Sequence, residues 1–130
     1  MDFTRRIDID LPYDEAVTAT KAALADQGFG TLTEIDLRQT LKDKLDVDTE
    51  PQVIIGACNP QIAHRAMEID PRITALLPCN VIVRTNGDRT TIEALDPTIM
   101  ATLSDEPGLA AIAEDAANRI QAALDAIENR

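Results

Sequence analysis

Two cysteine-asparagine pairs are the residues of this chain best suited to do chemistry. Cys58-Asn59 ends one apolar run and is followed by Pro60, and Cys79-Asn80 opens a second apolar run. Asparagine side chains cap free helix amides and proline suits the first helical position, so a helix is predicted to begin at Asn59-Pro60. We therefore expect Cys58 at the boundary between a strand and a helix.

The thiol of Cys58 has two interpretations in that position. Free amides and the positive end of the helix dipole lower a thiol's pKa, which would allow Cys58 to act as a nucleophile, a sulfur acceptor or a redox sensor. The alternative is a small apolar residue packed beneath the helix, because unbonded cysteine is among the most buried residue types. If the two strands are neighbours, Cys79 could form a reversible disulfide with Cys58. A structural disulfide is not expected in a reducing cytoplasm.

Polar residues near the cysteines also allow two interpretations. Asn59 and Asn80 would line a cleft together, or Asn59 is only a helix cap and Asn80 only a strand-edge amide. Glu34 and Asp36, at the end of an earlier strand, would supply a general base close by, or they belong to a solvated edge. The candidate binding residues are Cys58, Asn59, Cys79, Asn80 and Glu34, with Cys58 and Cys79 as catalytic candidates.

A metal site is not indicated. The single histidine, His64, lies six residues after Cys58, which gives three soft ligands with Cys79, and zinc would need a fourth ligand or water. The helical spacing turns His64 away from the apolar stripe and predicts a solvent-facing side chain. The sequence predicts no metal and no cofactor, and it assigns no reaction.

The charge balance argues against polyanionic partners. The chain has 130 residues, of which 12 are basic and 23 acidic, with a net charge of −11 at pH 7. Nucleic acid and anionic membranes would be repelled. No stretch approaches the roughly 18 apolar residues of a membrane span, and the first residues do not resemble a secretory signal. A soluble cytoplasmic protein is expected.

Periodicity and turn residues predict nine elements in the order β-α-β-α-β-α-β-β-α. An alternating strand at Phe3–Leu11 precedes a helix that Gly28 closes. Asn86-Gly87 marks a hairpin. The other predicted elements are a strand at Phe29–Leu37, a helix through Leu37, Leu41 and Leu45, a strand at 53–57, a helix from Pro60 to about Asp70, hairpin strands at Cys79–Arg84 and Thr90–Leu95, a connector at 98–107 and a helix from Leu109 to Ile127.

This order is typical of a single α+β domain, here residues 1–130, with helices packed on one face of a mainly antiparallel sheet. The apolar central strand 53–57 and the Ala-rich last helix would offer surfaces for self-association, or they belong to the core. No linker long enough to separate two domains is present.

The central motifs resemble a known family. Gly56-Ala57-Cys58-Asn59-Pro60 with Leu76-Leu77-Pro78-Cys79-Asn80-Val81 is similar to the signature of the family catalogued as domain of unknown function 302, and Gly28-Phe29-Gly30 resembles its earlier half. The resemblance implies a curved sheet gripping helices, grouped with TATA-binding-protein-like folds and often assembled as a homodimer. It implies no established activity.

Two functions are therefore considered. The first is a small homodimeric binding or accessory module, whose cleft around the two Cys-Asn pairs takes a small-molecule ligand or a partner protein. The second is a thiol-dependent redox or sulfur-handling protein, in which Cys58 reacts and Cys79 resolves the product. Only the second requires an ionised and accessible thiol.

Overall fold

The computed structural model describes residues 2–130; Met1, the first residue of the predicted domain, lies outside the described residues. The strands are β1 (Thr4–Ile9), β2 (Gly30–Asp36), β3 (Gln52–Cys58), β4 (Cys79–Asn86) and β5 (Arg89–Leu95). The helices are α1 (Tyr13–Asp26), α2 (Leu37–Leu45), α3 (Pro60–Ile69), α4 (Ile99–Leu103) and α5 (Leu109–Glu128), with a 3-10 helix at Pro71–Leu76.

The five strands form one sheet in the order β1-β5-β4-β3-β2, and all four neighbouring pairs are antiparallel. The predicted α+β class is confirmed. Strands β3 and β4 are neighbours, as the meeting of the two cysteines requires. Their register pairs Ala57 with Cys79, which brings Cys58 to the end of the sheet beside the start of β4.

One face of the sheet forms the main core with α1 and α5. Alternate strand residues such as Ile55, Val83 and Ile92 are fully buried there, together with Ile120 and Leu124 of α5. A second cluster joins α3, the 3-10 helix, α4 and the first half of α5. The core-facing residues of β3, Val53, Ile55 and Ala57, and the apolar stripe of α5 are therefore core, and they do not offer the surface for self-association that the sequence suggested.

Three local features differ from the predictions. The connector 98–107 contains the short helix α4, and residues 71–76 form a 3-10 helix rather than a simple turn. The hairpin is confirmed, but Asn86 pairs with Arg89, so Gly87 and Asp88 are the central residues of the turn. Only Gly87 has positive φ, at 65°, whereas the type I′ turn expected for Asn-Gly needs two such residues.

The end of α1 agrees with the sequence. Gly28 has φ of 85°, and the amides of Gly28 and Phe29 donate to carbonyls of Ala25 and Leu24 at 3.0 and 2.9 Å. This left-handed residue closes the helix, as expected for glycine in that position. In α3, by contrast, the spacing of Ile62, Ala63, Ala66 and Met67 predicts one buried face, but Met67 is exposed, and the helix packs against the protein through Ile62, Ala63, Ala66 and Ile69.

Candidate functional site

The two cysteines lie at one end of the sheet, beneath the start of α3. Cys58 is the last residue of β3, Cys79 is the first residue of β4, and both thiols are free. Because Ala57 is the register partner of Cys79, the side chain of Cys79 projects to the same face as Ala57, which is the helix-covered face. The two thiols are close enough for Cys58 to influence the ionisation of Cys79.

The environment of Cys79 disfavours the thiolate form of its side chain. Its side chain is 8% exposed, and burial raises the pKa of the Cys79 thiol to about 11, with a further contribution from the neighbouring thiol of Cys58. The thiolate is the reactive form of cysteine, so Cys79 stays protonated and unreactive at neutral pH. Cys58, at the end of β3, is half-buried.

Asn59 holds the two helices at the site together. Its Oδ1 accepts a hydrogen bond from the amide of Ile62 at 3.3 Å, which caps α3. Its Nδ2 donates to the carbonyl of Gln27 at 3.4 Å, just past the end of α1. The side chain is buried, and both ends of its amide are occupied by backbone groups. The capping role expected from Asn59-Pro60 is confirmed.

A small apolar cavity lies against these residues. Its wall includes Cys58, Asn59 and Cys79, with Phe29 from the segment between α1 and β2, Ile62 from α3 and Met100 from α4. No charged side chain lines it, and Asn59 supplies its one amide. The cavity volume is about 20 Å³, which is room for about one water molecule.

The structure brings together three of the five candidate residues. Asn80 follows the inward-facing Cys79 along β4, so it projects to the opposite face of the sheet, where it is exposed. Glu34 lies on β2, and its carboxylate accepts from Lys21 Nζ at 3.1 Å. Asp36 caps α2 by accepting from the amide of Gln39 at 3.0 Å. Neither carboxylate lines the cavity.

Sequence reasoning missed several of the cavity's residues. Ile62 carried a signal, because its helical spacing from Asn59 places it above the strand end. Met100 carried none, since its segment was predicted as an irregular connector and its contact with α3 is a tertiary one. His64 is exposed, as predicted, and its Nδ1 lies 3.7 Å from a carboxylate oxygen of Glu68.

Residues 2–130 contain neither a metal-binding cluster nor a membrane-spanning helix. No three or more His, Cys, Asp or Glu residues in that range are grouped so that they could hold a metal ion. None of the helices described there has the length and apolar character needed to cross a membrane.

The fold and the cavity define an α+β protein in which the two Cys-Asn motifs lie at one end of the sheet. The chain belongs to the family described as Domain of unknown function DUF302, whose model matches residues 5–127. It is similar to the crystal structure of an uncharacterized conserved DUF302 protein from Bacillus stearothermophilus, at 29% sequence identity and a TM-score of 0.90. That alignment covers 98% of this chain and 99% of the other. No curated protein matches the chain. The family has no assigned function, so the function has to be argued from the site.

Proposed function

We propose that this protein is a small cytoplasmic binding or accessory module that acts as a homodimer and takes a small ligand at the cavity beside Cys58 and Cys79. One observation carries the proposal: apolar side chains from α3, α4 and the sheet end converge on a cavity beside Cys58 and Cys79. Such convergence of apolar walls around few polar groups is the usual character of ligand pockets.

The ligand is a small, uncharged and mainly apolar molecule. A charged group would have no counter-charge among the residues that line the cavity, and burying an unpaired charge is costly. The cavity of about 20 Å³ is far below the roughly 300 Å³ of a drug-sized pocket, so α3 or α4 has to shift to admit more than a water-sized molecule. Asn80 and Glu34 lie outside the cavity, and a binding role for either stays a prediction.

Benzene is a suitable probe of this site, followed by amide chemical shifts in NMR. Shifts confined to residues around the cavity, such as Ala57, Asn59 and Ala63, are expected. Ala63→Met should fill the cavity from its half-buried wall and remove those shifts, whereas Ala22→Met, on the exposed side of α1, should retain them. The absence of shifts at the cavity, or equal shifts in Ala63→Met, would count against the proposal.

Thiol-dependent redox or sulfur chemistry is the weaker candidate. Its mechanism needs Cys79 as a resolving thiol, yet the Cys79 side chain is buried and the pKa of its thiol is raised to about 11. The side-chain oxygen of Asn59, which lies beside Cys58, already takes one of the free amides at the start of α3. No observation favours this candidate over the binding module.

Self-association is supported by apolar side chains that remain on the surface. Among the described residues, the exposed large hydrophobic side chains are Phe3, Leu32, Ile35, Leu45, Val47, Met67 and Leu103. Sedimentation velocity over a range of protein concentrations tests this part of the proposal directly. A dimer is expected, and a monomer at every concentration would overturn it.

A further inference from the structure

Strand β2 and helix α2 form the least buried part of the described chain. None of the seven residues of β2 is buried, and none of the residues of α2 is buried. The other edge strand, β1, differs because Ile7 and Ile9 pack into the core. We call residues 30–45 the β2–α2 surface.

The β2–α2 surface is apolar where a solvated edge would be polar. Leu32 is 63% exposed, Ile35 is 44% exposed, and Leu45 at the end of α2 is 66% exposed. The register places Ile35 beside Ile54, and Ile54 beside Ile82, so an apolar row continues across the sheet on the face opposite the main core. The leucine stripe of α2, which an amphipathic helix normally buries, is only partly covered within the chain, since Leu37 and Leu41 are half-buried and Leu45 is exposed.

The edge of β2 leaves backbone groups free to pair. It is the last strand of the sheet, seven residues long and without proline, although a bulge between Thr31 and Thr33 interrupts its inner pairing. Exposed edges of this kind pair with a further strand unless charge, proline or covering elements prevent it.

Charge identifies the partner that this surface suits. The β2–α2 surface contains three acidic and three basic side chains, so its net charge is zero, and the rest of the chain carries the whole charge of −11. The acidic side chains are Glu34, Asp36 and Asp43, and the basic ones are Arg38, Lys42 and Lys44. Two copies of so acidic a chain repel each other over most of their surface. The local repulsion is smallest at this segment, where an acidic strand adjoins a basic helix.

We propose that two copies of this chain associate through the β2–α2 surface, around a two-fold axis that pairs β2 with its counterpart. The inference rests on the proposed homodimer and names its surface. A two-fold interface uses the same patch on both copies, and the β2–α2 surface as a whole, with a net charge of zero, can meet its own copy. Pairing of β2 with β2 would extend the sheet across the two-fold axis and satisfy the free backbone groups of the edge, and the exposed Leu32 and Ile35 of each copy would lie beside the strand of the other copy.

Sedimentation velocity of wild type, Leu32→Glu/Ile35→Glu and Leu103→Glu tests the inference. All three changed side chains are exposed, so each variant should fold, which circular dichroism and thermal melting check. Leu103 lies on α4, away from the edge, and its variant is the matched control. We expect the wild type and Leu103→Glu to be dimers, and Leu32→Glu/Ile35→Glu to have a dissociation constant raised by roughly tenfold or more.

The other outcomes distinguish an incorrect interface from an incorrect oligomeric state. If the wild type is a dimer and Leu32→Glu/Ile35→Glu is an equally tight dimer, the β2–α2 surface is wrong and the homodimer stands. If the wild type is a monomer, both fail, and a different protein is the partner for the surface. If Leu103→Glu dissociates as completely as the β2 variant, the surface is again wrong, because the effect is not specific to the edge.

Discussion

The side-chain amide of Asn59 lies directly against Gly28, and this contact joins the end of α1 to the start of α3. A β-carbon at position 28 would lie 2.7 Å from Nδ2 of Asn59, closer than non-bonded atoms approach. The same nitrogen donates to the carbonyl of Gln27. The contact holds part of the cavity wall in place, since Asn59 and Ile62 at the start of α3 and Phe29, just past the end of α1, line the cavity.

Asn59→Ala should destabilise the protein by about 1 kcal/mol or more, because α3 loses its cap and the carbonyl of Gln27 loses a donor. Urea unfolding measures the loss. Asn80→Ala is the matched control from the other Cys-Asn pair, and its exposed position predicts a change within about 0.5 kcal/mol. Equal effects of the two substitutions would contradict the structural role of Asn59.

Gly28→Ala should cost roughly 1 to 3 kcal/mol, since alanine is strained at φ of 85° and its β-carbon would displace Asn59. Gly30→Ala is the control, because no atom lies within 4 Å of a β-carbon at that position. Thermal melting compares the two. A Gly28→Ala variant as stable as Gly30→Ala would show that the left-handed cap and the contact with Asn59 matter little.

The fold was largely predictable because its strong signals are local. Alternation at Ile7 and Ile9, the Asn59-Pro60 start and the stripe of α5 each describe one element, and all three hold. The alternation of β4 also predicts that Asn80 is exposed, because a strand that turns Cys79 inward must turn the next side chain outward.

The exposure of β2 could not be predicted in the same way. Its Thr31, Thr33 and Ile35 have the composition of an ordinary half-buried strand, and exposure depends on how far α1 extends over the sheet, which is a property of tertiary packing. The contact of Met100 with the cavity is likewise set by the packing of α4 against α5.

Acid should lower the free energy of unfolding, because it protonates Asp70. This carboxylate is buried and accepts hydrogen bonds from Arg72 at 2.9 and 3.0 Å and from Ser104 Oγ at 2.7 Å. The Arg72 guanidinium, and then the Ser104 hydroxyl, hold the pKa of Asp70 well below its usual value. The stabilisation is therefore complete above the unfolded pKa of about 3.9 and is lost as the pH falls towards the folded value.

Asp70→Asn tests this pH dependence. It should lower stability at pH 6 and make the stability less sensitive to pH below about 4, because a titrating group is removed. Urea unfolding over that pH range is the measurement. Asp88→Asn, in the exposed hairpin turn, should keep the wild-type dependence. An unchanged acid dependence in Asp70→Asn would show that other groups cause it.

Ser104→Ala should cost about 1 kcal/mol at neutral pH, because the buried Ser104 hydroxyl donates to the Asp70 carboxylate and ties α4 to the end of α3. Urea unfolding measures the loss of stability, and Thr102→Ala, at an exposed position of α4, is the control. A loss no larger than that of Thr102→Ala would mean that the bond adds nothing to stability.

Salt should strengthen the proposed dimer. Each chain carries a net charge of −11 and the β2–α2 surface is neutral, so the electrostatic term between two copies is mainly repulsive. Raising the salt concentration from about 0.05 M to about 0.5 M screens that repulsion and should lower the dissociation constant measured by sedimentation. A dissociation constant that rises with salt would instead indicate an interface held together by ion pairs.

The central claim is that the cysteines form the wall of an apolar cavity and do not act as a reactive thiol pair. Its most direct test is alkylation by iodoacetamide as a function of pH, in native and in unfolded protein, with the labelled cysteine located by mass spectrometry. Cys58→Ser leaves Cys79 as the single thiol and removes any ambiguity of assignment. We expect native Cys79 to resist labelling up to pH 9 and to react only after unfolding, because it is buried and the pKa of its thiol is raised to about 11. Native labelling of Cys79 with an apparent pKa below the ordinary value of about 8.5 would contradict the account and favour thiol chemistry.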